Sequence, residues 1–332
     1  MTGRGTRWPA GWALAGLIVG LVACAPAPEP VAPPPAAPQE APPPAAPAPE
    51  PEVAPPAPEP PPPPAPLPAV RPVWVSPPRP DEGLTALAVW SGDGSRPWLL
   101  AAAARTHRLV LFDAATGELL RELGVAGERP GQFRDPADVA VAGDLAFVAE
   151  SGNGRVQVLR LPGLSTVGFL GGGELRRPVA LAVEARGTGL VLWVADEAAA
   201  EGEGPRHRAF ELGPDGLPTA AGGGKVGEGA APARPAPPGR DVAPLPCLEG
   251  RWLAAARDEA LVLLDGDLAP AGGFRIEGPT AGPTVAVAGA PGPLPGLPGG
   301  ALYALAADGS IAALDVGDLG RALGRATTCG AP

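Results

Sequence analysis

The sequence predicts an all-β fold: a β-propeller of about five, or six, four-stranded blades, preceded by a disordered proline-rich stalk. Three observations predict it. From residue 84 onward, apolar runs of four to eight residues, rich in Val, Leu and Ala, are separated by Gly, Asp, Pro and Asn. That is the pattern of strands and turns, with no long helical periodicity. The runs also recur. Asp138-Val-Ala-Val141 returns within Val179-Ala-Leu-Ala-Val183, Val141 and Val183 being 42 residues apart, and Phe147-Val-Ala-Glu150 returns as Trp193-Val-Ala-Asp196. Finally, one strand is written three times, as Arg108-Leu-Val-Leu-Phe-Asp113, Ala260-Leu-Val-Leu-Leu-Asp265 and Ser310-Ile-Ala-Ala-Leu-Asp315. A repeat of four short strands at that period is the signature of a propeller blade.

Residues 1–23 have the layout of an export signal. Arg4 and Arg7 supply a short basic region, and Ala10–Val22 carries no charge. That run is shorter than the ~20 apolar residues a spanning helix needs. It ends in Leu21-Val22-Ala23-Cys24. This resembles the bacterial lipobox, in which small residues precede a cysteine that receives a diacylglycerol and becomes the mature N-terminus. The resemblance implies lipidation of Cys24 through its thiolate and attachment to a membrane through that lipid. Ala25 follows the cysteine, which resembles the outer-membrane sorting pattern. The expected location is the cell envelope, at the outer membrane, with the head extracytoplasmic.

Residues 24–70 read as a disordered linker of Pro, Ala and Glu. From Ala25 to Pro80 lie 27 of the chain's 50 prolines, each removing a backbone donor that helix or sheet would use. Such a segment lacks the apolar surface to offset its ordering entropy. As an extended polyproline-II spacer it would reach on the order of 140 Å. The formal net charge is -10, which argues against nucleic acid as a partner. Once Cys24 is lipidated, Cys247 and Cys329 remain; they either pair in an oxidising compartment or stay free, since sequence does not set their separation.

The propeller is expected over residues 71–326, with 327–332 as a tail. Five inner strands are read near Leu84, Asp138, Val179, Asp241 and Thr284. Residues 222–239 are rich in Gly, Pro and Ala, and read as either a long loop or a degraded sixth blade. Val73-Trp74-Val75 is placed to supply the outer strand of the last blade and so remove two exposed sheet edges. The two histidines, His107 and His207, lack ligand spacing.

Two family resemblances follow. Gly131-Gln-Phe133, Pro136, Asp138-Val-Ala-Val141 and Phe147-Val-Ala-Glu-Ser-Gly-Asn-Gly-Arg-Val-Gln-Val158 resemble the NHL-type propeller repeat, which implies fold and little chemistry. Leu84–Trp90, Leu99–Ala104, Leu109-Val-Leu-Phe-Asp113, Arg206–Leu212 and Gly273–Gly278 resemble, in order, segments of the β-propeller phytases. That family implies Ca²⁺ held by carboxylates at the mouth, with Lys and Arg holding phosphate. Arg105 and Arg155 sit near the family's phosphate-binding positions, which implies anion binding. The family's acids are mostly replaced, at Thr85-Ala86 and Thr284-Val285-Ala286, and Asp241 is one acid kept. Because a calcium cluster needs many oxygen ligands, the expectation is a non-catalytic binding or scaffolding head without cofactor. A protein or anionic ligand is expected at the mouth. The alternative is a calcium-dependent phytase-type phosphomonoesterase, and a third reading is a stalked structural lipoprotein without ligand.

Overall fold

The computed structural model describes residues 66–92, 96–197, 206–218, 242–257, 260–278 and 283–329. Cys24, Asp241 and the Gly/Pro/Ala-rich residues 222–239 lie outside them. Two short strands come first, β1 (Ala69–Val70) and β2 (Trp74–Val75). Blade 1 follows as β3 (Leu84–Trp90), β4 (Trp98–Ala103), β5 (Arg108–Asp113) and β6 (Leu119–Leu123). Blade 2 is β7 (Pro136–Ala142), β8 (Leu145–Glu150), β9 (Arg155–Arg160) and β10 (Ser165–Leu170). Blade 3 has, among the described residues, β11 (Pro178–Arg186), β12 (Gly189–Asp196) and β13 (Arg206–Leu212). Blade 4 is β14 (Val242–Pro244), β15 (Leu253–Arg257), β16 (Ala260–Leu264) and β17 (Pro270–Ile276). Blade 5 is β18 (Thr284–Gly289), β19 (Ala301–Ala306) and β20 (Ile311–Asp315), after which comes helix α1 (Val316–Leu323). The all-β propeller of five blades is thus the fold, and each blade is an antiparallel meander.

Blade architecture explains why the strands read as continuous apolar runs. Every residue of β8, β19 and β20 is buried, because a blade's middle strands are covered on both faces by its neighbours. Alternation then decides which neighbour a side chain meets. In β4, Leu99, Ala101 and Ala103 pack toward blade 5, while Leu100 and Ala102 pack toward blade 2. The outer strand β6 has lost this cover and is mostly exposed.

Around the axis a large residue of one inner strand packs with an alanine of the adjoining one. Leu87 shares a core with Ala288, Val139 with Ala88, Leu181 with Ala140, and Val287 with Ala243. Hydrogen bonds tie the same strands. One Asp138 carboxylate oxygen accepts the Val139 amide at 2.8 Å and the other accepts the Leu181 amide of blade 3 at 2.6 Å.

Closure comes from the N-terminal side of the chain. β2 pairs antiparallel with β20 as the fourth strand of blade 5, as the sequence predicts for Val73–Val75. The Val73 amide donates to the Ala313 carbonyl at 2.7 Å, and the Ser76 amide to Ile311 at 2.8 Å. Trp74 lies over Gly117 of blade 1, where an added Cβ would come within 2.6 Å of the indole and φ is +74°; only glycine suits both demands. The Tyr303 hydroxyl donates to the Ala114 carbonyl at 2.7 Å, tying blade 5 to blade 1. Burial, and secondarily the Asp113 charge, push that phenol well above its ordinary pKa.

Two features lie outside the sequence reading. β1 adds in parallel to β17 as a fifth strand of blade 4, so residues 69 and 70, read as linker, belong to the sheet. α1 is also unanticipated: eight residues with two glycines carry a weak helical signal. It forms because β2 occupies the fourth-strand position of blade 5, Asp315 caps the first turn through the Gly317 and Asp318 amides, and Gly324 ends it at φ +63°. Asp315 closes the thrice-repeated strand, and its counterparts act alike. Asp113 accepts the Ala115 and Thr116 amides, and Asp265 those of Asp267 and Ala269. Burial alone would raise the Asp113 carboxyl, but the Arg96 hydrogen bond at 2.7 Å and the two amides outweigh it and hold the group below the usual carboxylate range.

Cys247 and Cys329 form a disulfide with Cα atoms 5.0 Å apart. It pins the tail to the loop between β14 and β15, where the Thr328 amide donates to Cys247 and the Glu249 amide to Ala326, both at 2.9 Å. The bridge spans 82 residues, for which chain entropy gives an upper value of about 4–5 kcal/mol. Cys329→Ser should therefore lower the unfolding free energy by ~2–4 kcal/mol in a denaturant titration, and reductant should bring the wild type to the same midpoint. A midpoint unmoved by either treatment would show that the bridge does not form.

Candidate functional site: the central cavity and the arginine turns

Each blade leaves its inner strand as a sheet edge, and these edges surround a central cavity of about 540 Å³. Its wall is aliphatic and small, with Val89, Ala140, Ala182, Val242 and Ala288 among its members, together with Trp90. Among the described residues Asp138 is the acidic residue of that wall, and its carboxylate accepts the two amides already described. The indole of Trp90 is oriented by a 3.1 Å hydrogen bond to Asp144. Among the described residues, no three His, Cys, Asp or Glu side chains converge as a metal site.

Strand register sets where the cavity opens. Leu84 pairs with Ala103 at one end of blade 1, and Trp90 with Trp98 at the other. Blade 1 contributes Leu87–Ser91 to the cavity, and other blades contribute Gly143, Gly289 and Pro291. The cavity therefore occupies the half toward the C-terminal ends of the inner strands and the loops that follow them.

Arg105 and Arg155 lie at the opposite end. Arg105 is in the turn after β4; it is exposed, and Nη1 donates to the Pro80 carbonyl at 2.8 Å. Arg155 opens β9 opposite Glu150, which itself pairs with Pro136 at the start of β7. The two arginines thus sit at comparable places in blades 1 and 2, away from the aliphatic cavity. Asp241, the sequence's retained acid, lies outside the described residues.

Arg155 is engaged on every nitrogen. Nε donates to Glu150 Oε1 at 2.9 Å, Nη2 to Glu150 Oε2 at 3.3 Å, and Nη1 to the Glu128 carbonyl at 2.8 Å. The guanidinium lies 4.0 Å from the centre of the Phe169 ring. Glu150 is completely buried and also accepts from Gln157 and Asn153. Gln157, equally buried, accepts from the Gly131 amide at 2.7 Å and Thr166 Oγ1 at 2.8 Å, and donates to the Gln132 carbonyl at 3.1 Å. This network holds the loop that delivers Phe133 into the core between blades 1 and 2. The turn before Arg155 needs Gly154 at φ +59°, where a Cβ would meet the Leu175 carbonyl oxygen at 2.9 Å.

Sequence reasoning passed over Glu150 as a network centre. A signal was present: Phe147-Val-Ala-Glu150 and Trp193-Val-Ala-Asp196 end in acids at the same strand position. Asp196 is likewise buried, and accepts the Arg176 and Arg177 amides at 3.1 and 2.6 Å. These repeated acids hold loops between blades.

No protein-family model and no curated protein matches this chain. Among solved structures, a crystal of BBS1N in complex with ARL6DN soaked with mercury matches with 12% identity and a TM-score of 0.36, covering 74% of this chain and 97% of that one. A second crystal of the same complex, soaked with lead, matches with 12% identity and a TM-score of 0.37, covering 73% and 78%. At this level of similarity no ligand or partner is assigned to the present chain.

The two arginines should separate cleanly in mutational tests. Arg155→Ala leaves the buried Glu150 charge without its counter-ion and should cost about 3–5 kcal/mol of unfolding free energy. Arg105→Ala removes an exposed side chain and should change stability by less than about 0.5 kcal/mol. Chemical denaturation of both variants beside wild type measures the difference.

Proposed function

We propose that this protein is a lipid-anchored, extracytoplasmic β-propeller that works as a non-catalytic binding or scaffolding head. In this reading Cys24 carries the lipid, the proline-rich segment spaces the head from the outer membrane, and the central mouth receives a partner without a cofactor. The observation that supports it most directly is the aliphatic wall of the cavity. A calcium-dependent phosphomonoesterase needs several carboxylates on each bridging ion and free cations for phosphate. Among its described residues the wall offers one acid, Asp138, which already accepts two backbone amides. Arg155 is held by Glu150 at the other end of the strands. Arg105 is the cation of the pair with guanidinium surface to offer an anion.

A phosphate-release assay on the purified head with phytate, with and without calcium, tests the non-catalytic reading. The expected result is no calcium-dependent turnover; robust turnover in calcium alone would install the phosphomonoesterase reading instead. The anchor is tested separately by detergent phase partitioning of the full chain from cells. Wild type should enter the detergent phase and Cys24→Ser should not, because serine lacks the thiolate that accepts the lipid. Partitioning of both proteins into the aqueous phase would remove the lipid from the proposal.

A further inference from the structure

On the face carrying the β4–β5 and β8–β9 turns, three hydrogen bonds follow one another round the ring. The Asp135 amide donates to His107 Nδ1 at 3.0 Å. The Asp135 carbonyl accepts the Ser151 amide, also at 3.0 Å. Ser151 Oγ in turn donates to the Pro178 carbonyl at 2.6 Å. His107 belongs to the β4–β5 turn of blade 1, Asp135 leads into β7, Ser151 begins the turn after β8, and Pro178 opens β11. Blades 1, 2 and 3 are therefore linked in series.

The first bond fixes the state of the imidazole. A backbone amide only donates, so Nδ1 presents its lone pair; the ring is neutral and its proton is on Nε2. The two residues joined by this bond both hold left-handed backbones, His107 at φ +57° and Asp135 at φ +50°. Side chains adopt that region at an energetic cost and keep it only where the surroundings enforce it. The bond thus joins two turns whose residues both hold the left-handed region.

We propose that His107 is a pH-sensitive latch between blades 1 and 2. Protonation replaces the Nδ1 lone pair with an N–H and sets two donors against each other. The Asp135 turn then releases from blade 1, and the Ser151 and Pro178 bonds pass the loosening to blade 3. The charged groups around the latch come from three elements. Arg105 and Arg108 flank His107 on its own turn and strand. Glu82, which accepts from Thr106 and pairs with Arg79, comes from the segment ahead of β3. Arg134 and Asp135 belong to the blade 2 loop. Arg108 and Arg134 are themselves paired, with Glu122 and Glu128. The sign follows from the acceptor role: the latch is closed while Nδ1 presents its lone pair to the Asp135 amide and open once that nitrogen carries a proton.

The chain contains two histidines, so the test has an internal control. Thermal melts of wild type, His107→Gln and His207→Gln are compared between about pH 8 and about pH 5. Glutamine keeps an acceptor but does not titrate. Wild type and His207→Gln should each lose about 2–4 °C more on acidification than His107→Gln does. Equal losses in all three proteins would overturn the latch. Should His107→Gln fail to fold, nitrogen-resolved imidazole spectra of His207→Gln report His107 directly. Nδ1 should be unprotonated near pH 8, and the Asp135 amide should exchange faster as the ring charges. A protonated Nδ1 near pH 8, or exchange that does not follow ring charging, would overturn it equally.

Discussion

Everything in this molecule depends on covering both faces of every blade. A four-stranded meander with apolar residues pointing both ways cannot stand alone in water, and each blade's faces must be covered by its neighbours. Inner strands meet near the axis, where space is least. Leu87, Val139, Leu181 and Val287 fit there because the facing strands offer Ala288, Ala88, Ala140 and Ala243. A large residue in place of one of those alanines would push two blades apart, since close-packed cores have no slack. The same demand explains why an N-terminal strand closes the ring: blade 5 obtains its fourth strand from Trp74–Val75, and the indole of Trp74 finds room only over a glycine.

Charge follows from that packing. The buried acids Asp113, Asp138, Glu150, Asp196 and Asp315 sit at strand ends or on inner strands, places where sheet pairing leaves amides to satisfy. A buried carboxylate needs donors: Asp113, Asp138, Asp196 and Asp315 accept backbone amides, and Glu150 accepts the side-chain amides of Gln157 and Asn153. Glu150 also has a guanidinium. Their number therefore does not measure a capacity to bind cations. They are distributed around the ring as fasteners between strand, turn and neighbouring blade.

The two ends of the ring differ in consequence. Toward the C-terminal ends of the inner strands lies an aliphatic cavity. The other end carries the arginine turns and a series of polar contacts across the blades. The first is a concave wall of small apolar residues. The second has the character of a hoop, whose cohesion depends on which atoms donate and which accept. The imidazole of His107 belongs to that hoop through Nδ1, which accepts the Asp135 amide.

Much of the fold was legible in the chain. The strand thrice repeated with a terminal Asp is β5, β16 and β20, and the outer strand at Val73–Val75 follows from the sequence, because blade periodicity and edge closure are local in sequence or follow from counting strands. Helix α1 escaped, since its position depends on the occupancy of the fourth-strand position by Trp74–Val75, far away in the chain. The site was legible in residue type but not in engagement. Arg155 stood out as a cation in a turn, yet its pairing with Glu150 required the β8–β9 register, and its separation from the cavity required knowing which end of the inner strands opens. Composition and periodicity by themselves determined the all-β class and the repeat, because these follow from hydrophobic spacing. Which charges are free, which alanines face a large neighbour, and which histidine nitrogen accepts an amide were decided only by tertiary structure, because each depends on contacts between blades far apart in sequence.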